Sequence, residues 1–179
     1  QWVNGKVGKA LSFDGVDDHV NISNNPPLNN IAQGPNTPSF TLVVWIQPVP
    51  QSTAHFILAK IGWHNGFAWG GNDNTFRFNL YDANQQSTQL SSGAYIPNLW
   101  YLLVGTYNKN NGEMKLYLNS ELKQSGIRLP PLIGLSSGFY IGGYNSSPGY
   151  WTKGLIDEVR VYNRALSDDE IKALYDATK

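Results

Sequence analysis

Short segments that alternate apolar and polar residues, each closed by Gly, Asn or Pro, recur along this whole chain. They lie at residues 11–13, 19–22, 40–46, 56–60, 66–70, 76–81, 100–107, 114–118, 121–123, 139–142 and 155–161, roughly a dozen strands with turns at 71–74, 108–112 and 119–120. Residues 23–38, rich in Pro and Asn, form a loop. Only one helix is expected, at the end, where Ser167 and Glu170 stand three apart as a capping box and Asp168 and Asp169 suit the helix dipole. Antiparallel strands in this number, with no helical crossover, imply an all-β, two-sheet antiparallel sandwich with a short C-terminal helix.

A chain of 179 residues fits one domain, residues 1–179, and can bury a proper core. Net charge is zero and charged residues make up 15%, so there is no basic stripe to neutralise phosphates and no nucleic-acid partner is expected. No apolar run approaches the ~20 residues of a membrane span, so no membrane insertion is expected either. There is no cysteine, which removes disulfides and thiolate chemistry. Residues 1–10 contain no apolar leader. We expect a module of a secreted, extracellular multidomain protein, covalently linked to neighbouring domains, with the export signal outside this sequence.

The last strand poses a chemical question. Strict alternation over residues 154–162 sets Leu155, Asp157, Val159 and Val161 on one face. A carboxylate on an aliphatic face costs several kcal/mol unless a cation or hydrogen-bond donors compensate it. Asp157 is therefore either a metal ligand or a structural acid paired with Arg160, Lys9 or a backbone donor. At the other end, residues 8–22 read as a strand, an Asp14-Gly15 turn and a second strand forming a hairpin. Asp14, Asp17, Asp18 and Asp157 are the candidate ligands, because calcium takes six to eight oxygens from carboxylates and carbonyls. The same Asp-Gly turn also forms without any metal. The Asp168-Asp169-Glu170 cluster is explained by helix capping.

These two ends, GKALSFDGVDDHVNI at residues 8–22 and GLIDEVRVYNRALSDDEI at residues 154–171, together with SFTLVVWIQP at 39–48 and LWYLLVGTYN at 99–108, closely resemble the LamG-like jelly-roll domains of the concanavalin A-like lectin/glucanase superfamily. The resemblance spans roughly residues 5–176. It implies a jelly-roll sandwich and a structural calcium, held by an early turn and an Asp of the last strand. That makes Asp157 the first ligand and Asp14 the second, with Asp17 beside it.

Sugars are recognised by aromatic rings that stack on C–H patches and by planar polar groups that bond hydroxyls. Two Gly-rich segments, 60–74 and 142–153, combine both. They nominate Trp63, Asn65, Trp69, Asn72, Tyr144, Asn145, Tyr150 and Trp151 for carbohydrate binding. Arg77 and Tyr81 join them, because they alternate with the apolar Phe76, Phe78 and Leu80 and so share the other strand face. The opposing possibility is that the rings fill the core, which is the expectation for Trp45 and Trp100.

Catalysis is not expected. The glutamates are Glu113, Glu121, Glu158 and Glu170, and none belongs to the paired-carboxylate strand motif of the glucanase branch. No Gly-x-Ser-x-Gly elbow occurs, and the three histidines lack zinc-ligand spacing. The sequence thus reads as a non-catalytic, lectin-like module targeting a polysaccharide or oligosaccharide. A laminin-G-type protein-interaction and adhesion module, or a structural spacer, are the alternatives.

Overall fold

The structure is a computed structural model. It describes the chain apart from residues 24, 33–35, 52–54, 61–64, 71–73, 83, 130–131, 133–137 and 144–149, with Pro26 and residues 65–70 described by their backbone alone. Thirteen strands follow in chain order: β1 Trp2–Asn4, β2 Lys9–Asp14, β3 Val20–Ile22, β4 Phe40–Pro48, β5 His55–Lys60, β6 Asn65–Gly70, β7 Thr75–Tyr81, β8 Ser87–Ala94, β9 Tyr101–Asn108, β10 Glu113–Leu118, β11 Glu121–Ile127, β12 Phe139–Ile141 and β13 Lys153–Tyr162. A single helical turn, α1 (Pro26–Asn29), interrupts the loop after β3, and α2 (Asp168–Thr178) ends the chain.

The strands form two antiparallel sheets. One has seven strands in the order β1-β2-β13-β4-β9-β10-β11, and the other has six in the order β3-β12-β5-β6-β7-β8. Between them lies the main core, with Phe40, Leu42, Val44 and Ile46 from one sheet meeting Ile57, Leu58, Phe76, Phe78 and Leu80 from the other. Each fully buried side chain of this size contributes ~1.5–3 kcal/mol of transfer free energy. A second apolar cluster covers the outer face of the seven-stranded sheet. There Val43, Trp45, Leu102, Val104 and Tyr117 lie under Leu166 and Ile171, with Leu174 and Tyr175 packed on them.

The capping box at the start of α2 is present as expected: Glu170 N–H donates to Ser167 Oγ, and Ser167 N–H donates to the Glu170 carboxylate. The strands on either side of the Asp14-Gly15 turn differ from expectation. They are not a hairpin: β2 pairs with β1 and β13 in one sheet, while β3 pairs with β12 in the other. The Asp14–Asp18 turn therefore carries the chain across the sandwich.

The last strand also departs from strict alternation. Ile156 pairs with Ile46 and Asp157 with Trp45, but the next pair is Arg160 with Val43. One extra residue is accommodated there as a β-bulge, with Glu158 at φ +48°. The bulge reverses the parity of the strand. Ile156, Val159 and Val161 face the main core, while Asp157 shares the outer face with its partner Trp45. Asp157 is thus not embedded in the aliphatic row.

Candidate functional site

The six-stranded sheet carries two neighbouring rows with opposite chemistry. One row runs Val20–Ile141–Leu58–Phe67–Phe78–Leu90 and is apolar in every strand. The next runs Asn21–Tyr140–Ala59–Gly66–Asn79–Gln89. Because side chains alternate, Val20, Ile141, Leu58, Phe78 and Leu90 of the first row face the core, and Asn21, Tyr140, Ala59, Asn79 and Gln89 of the second face outward. The outward row has small residues in the middle and amides or a phenol on both sides, which makes a floor with polar walls.

Arg77 and Tyr81 stand one step to either side of Asn79 on the same face of β7, while Phe76, Phe78 and Leu80 are fully buried in the core. Asn79 itself is only 7% exposed, and its Oδ1 accepts no hydrogen bond among the described residues. A buried acceptor left unpaired costs about 1–3 kcal/mol. Lys60, also buried, ends β5, and burial pushes its ammonium pKa below the ordinary lysine value.

At the end of this sheet where β3 begins and β12 stops, a ring cluster holds the loops. His19 stacks on Trp151 with centroids 5.3 Å apart, and Tyr150 lies 5.6 Å from Phe56. Trp151 is buried, and a side chain at Gly143 would collide with its ring. It therefore fastens the loop rather than offering a free face. Tyr150 is exposed. Thr152 completes the joint: its hydroxyl donates to Phe56 O and its N–H to Gly142 O, both at 2.8 Å.

The Asp14, Asp17 and Asp18 carboxylates lie within 4.8 Å of one another, with Asp14 and Asp17 exposed. Asp14 Oδ1 accepts from Val16 N–H at 2.8 Å, and Asp18 Oδ2 from Asp14 N–H at 3.1 Å. Asp157 stands apart from this group. The ladder sets Asp14 opposite Lys153, so Asp157 is four residues along the strand, on the order of 13 Å away. Its two carboxylate oxygens accept from Val7 N–H at 2.9 Å and Glu158 N–H at 2.8 Å. No side chain fits at Gly5, because a Cβ there would collide with the Asp157 carboxylate. Asp157 thus ties the β1–β2 connection to the bulge through backbone donors.

Of the residues nominated for sugar binding, the structure brings Arg77 and Tyr81 to the outward face, with Tyr150 and Trp151 at its end. Trp63, Asn72, Tyr144 and Asn145 lie outside the described residues. So do the side chains of Asn65 and Trp69, whose backbones pair with Lys60 and with His55 and Phe76. Asn79, Tyr140, Asn21 and Gln89 were not singled out from the sequence. Asn79 shares the parity of Arg77 and Tyr81, which is a legible signal. The others become neighbours only through register, which the sequence does not display.

The comparisons with known proteins agree with this architecture. The chain is 25% identical, over 97% of its length, to the botulinum-like toxin eBoNT/J of Enterococcus sp. (strain 3G1_DIV0629), and spans 14% of that protein. Its structure superposes on the binding domain of Paraclostridial Mosquitocidal Protein 1 with a TM-score of 0.79 at 16% identity, over 99% of this chain and 45% of that one. It also superposes on the Ruminococcus gnavus IT-sialidase CBM40 bound to α2,3-sialyllactose, with a TM-score of 0.76 at 17% identity, over 93% and 96% of the two chains. At such identities the two structural likenesses speak for the fold. The Laminin_G_3 family model, described as "Concanavalin A-like lectin/glucanases superfamily", matches residues 14–172. With a jelly-roll sandwich and a family match over most of its length, the chain belongs to the Laminin_G_3 family of the concanavalin A-like lectin/glucanase superfamily.

Proposed function

We propose that this chain is a non-catalytic glycan-binding module, and that the outward face of its six-stranded sheet is the binding surface. The observation that carries the reading is the row Asn21–Tyr140–Ala59–Gly66–Asn79–Gln89, with the buried Oδ1 of Asn79, unpaired among the described residues, in it. A sugar hydroxyl donating to that oxygen recovers the cost of its burial, and the half-buried Tyr81 ring supplies apolar contact, with the buried Tyr140 ring packed beside Ala59 and Phe56 beneath. The described residues of this row include no carboxylate, whereas glycoside hydrolysis uses a pair of them. The sialyllactose bound by the CBM40 domain supports a sugar as ligand for this fold. The module belongs to a secreted multidomain protein and holds a neighbouring domain near a polysaccharide by raising effective concentration. Among the described residues no helix is long and apolar enough to cross a membrane.

The calcium implied by the family resemblance is assigned here to the Asp14, Asp17 and Asp18 carboxylates. Their hard oxygens and mutual spacing fit such an ion, and Asp157 is committed to amides. Bound calcium supplies positive charge that pins the crossing from β2 to β3.

Titration calorimetry over a panel of plant, algal and bacterial glycans tests the function. We expect binding that Asn79→Ala and Tyr140→Ala each weaken about tenfold, with the fold intact by circular dichroism. Binding that ignores both substitutions, or no binding to any glycan, overturns the assignment. A thermal melt with and without EDTA tests the ion, and an unchanged melting temperature removes it.

A further inference from the structure

The edge strand β1 carries an indole away from the glycan face. The ladder pairs Trp2 with Leu11, so both project toward the opposite sheet. That sheet does not extend over them, and Trp2 is left 67% exposed. Beneath it lies a cleft of about 310 Å³ with Leu11, Ile156 and Val159 in its lining and Ile141 of the other sheet beside them. An exposed ring beside an aliphatic floor is the arrangement that takes the apolar face of a small ring.

Lys9, Asp157 and Glu158 also line the cleft. Each has a partner. Glu158 is ion-paired with Arg160, the Lys9 ammonium donates to Asn4 Oδ1 at 2.8 Å, and the Asp157 carboxylate accepts from the Val7 and Glu158 amides. A net-charged ligand gains little there. A neutral ring with one apolar face and a rim of hydroxyls matches both the indole and the polar edge. The volume stands at the lower end of ligand pockets and suits one ring rather than a chain. Glu158 is also the strained residue of the bulge, at φ +48°, and such bulges recur where a side chain must be re-aimed beside a site.

We propose that this cleft is a second saccharide site, holding one neutral sugar ring stacked on Trp2 with its hydroxyls bonded to Glu158 and Lys9. The proposal rests on the reading of the chain as a glycan-binding module, but its residues are separate from the outward face. The two sites together would let one module grip a polysaccharide at two places, or bridge two chains.

The test is NMR of the whole ¹⁵N-labelled chain, with methyl glucoside, methyl galactoside and methyl arabinofuranoside as probes. The Trp2 indole N–H reports the cleft and the Asn79 side-chain amide reports the sheet face. We expect at least one probe to shift the Trp2 indole saturably, and to do so equally in Asn79→Ala. Trp2→Ala weakens the response read at the Glu158 amide about tenfold, while Trp2→Phe, which keeps a ring, restores part of it. If longer glycans move Asn79 while no probe moves Trp2, this inference falls and the sheet-face site stands. If neither reporter responds to any sugar, both fall. A Trp2 shift that follows protein concentration instead of sugar concentration makes the cleft a contact between copies and overturns the proposal.

Discussion

The two outer faces of this sandwich begin alike, as one side of a pleated sheet, and end differently. On the seven-stranded sheet the outer face presents Val43, Trp45, Leu102, Val104 and Tyr117, and α2 lies over it with Ile171 fully buried. On the six-stranded sheet the outer row is Asn21, Tyr140, Ala59, Gly66, Asn79 and Gln89, and no described helix covers it. An apolar face must be roofed, because each large ring or aliphatic chain left in water forfeits ~1.5–3 kcal/mol. A polar face with a small-residue floor needs no apolar roof: Ala59, Asn79 and Tyr140 are buried at its middle, so its donors and acceptors are shielded polar groups that a ligand can satisfy. Stability and recognition are thereby divided between the two sides, and substitutions on one should leave the other's property alone.

The sharpest way to break that division is Trp45→Ala. Trp45 is 2% exposed, stacks on Tyr175 at 5.8 Å and donates from Nε1 to Thr178 Oγ1 at 2.9 Å. Removing it detaches α2 and should cost about 3–5 kcal/mol in chemical denaturation. Glycan affinity of the molecules still folded should be unchanged. A parallel loss of affinity at temperatures well below the melt would show that the faces are coupled.

Asp157 ranks next. Asp157→Ala leaves the Val7 and Glu158 amides without their acceptor, and about 2–4 kcal/mol should be lost, reading each amide at 1–2 kcal/mol. The loss should be the same in calcium and in EDTA, since the carboxylate serves backbone donors. A loss seen only in calcium would return Asp157 to the metal.

How far the sequence reveals each side follows from the same comparison. The strand punctuation, the capping box and the apolar runs of β4 and β9 are local signals, and they locate the sandwich, its core and its C-terminal helix. The bulge at Glu158 is not local. Alternation alone sets Asp157 among Leu155, Val159 and Val161, and only pairing with β4 reveals the extra residue that turns it outward. The supposed first hairpin fails for a similar reason, because an Asp-Gly turn fits a crossing between sheets as well as a return within one. On the glycan face, Arg77 and Tyr81 are readable from parity within one strand. The row that joins Asn79 to Tyr140 across four strands depends on register, which no single segment encodes.

Asn79→Leu probes the six-stranded side with a smaller effect. The substitution keeps the volume and removes an acceptor that has no described donor. Replacing such a group by an apolar one is neutral or stabilising, so the melting temperature should hold or rise. Affinity for the cognate glycan should fall about tenfold, or ~1.4 kcal/mol. Stability and binding would then move apart on this face, as Trp45→Ala should separate them on the other. A melting temperature that falls by several degrees would mean that Asn79 is a structural residue with a donor beyond the described residues.

The smallest expected effect concerns pH, and it belongs to the roofed side. Arg164 holds Glu170 with two hydrogen bonds, Nη1 to Oε2 at 2.7 Å and Nη2 to Oε1 at 2.8 Å, and Ser167 N–H adds a third. These bonds, the guanidinium's first, lower the Glu170 carboxyl from 4.5 to about 2. Tyr117, whose hydroxyl donates to Asp168 at 2.7 Å, and then Lys115 likewise hold the Asp168 carboxyl below its ordinary value. A carboxyl whose pKa is lower in the folded state stabilises that state above its unfolded pKa, and the contribution fades as pH falls through the folded one. The attachment of α2 should therefore weaken between pH ~4.5 and ~2. In a melt followed by Trp fluorescence, Glu170→Gln should flatten the acid limb in that window and leave the slope above pH 5 unchanged. Both carboxylates are exposed enough for water and salt to screen them, so the shift should amount to a few degrees and shrink further in 1 M salt. Glycan affinity measured across the same window should stay flat if the six-stranded face is independent of the helix, because the described residues of its central row include no carboxylate and no histidine. Affinity that follows the acid limb of α2 would instead mean that the roof supports the binding face through the shared core.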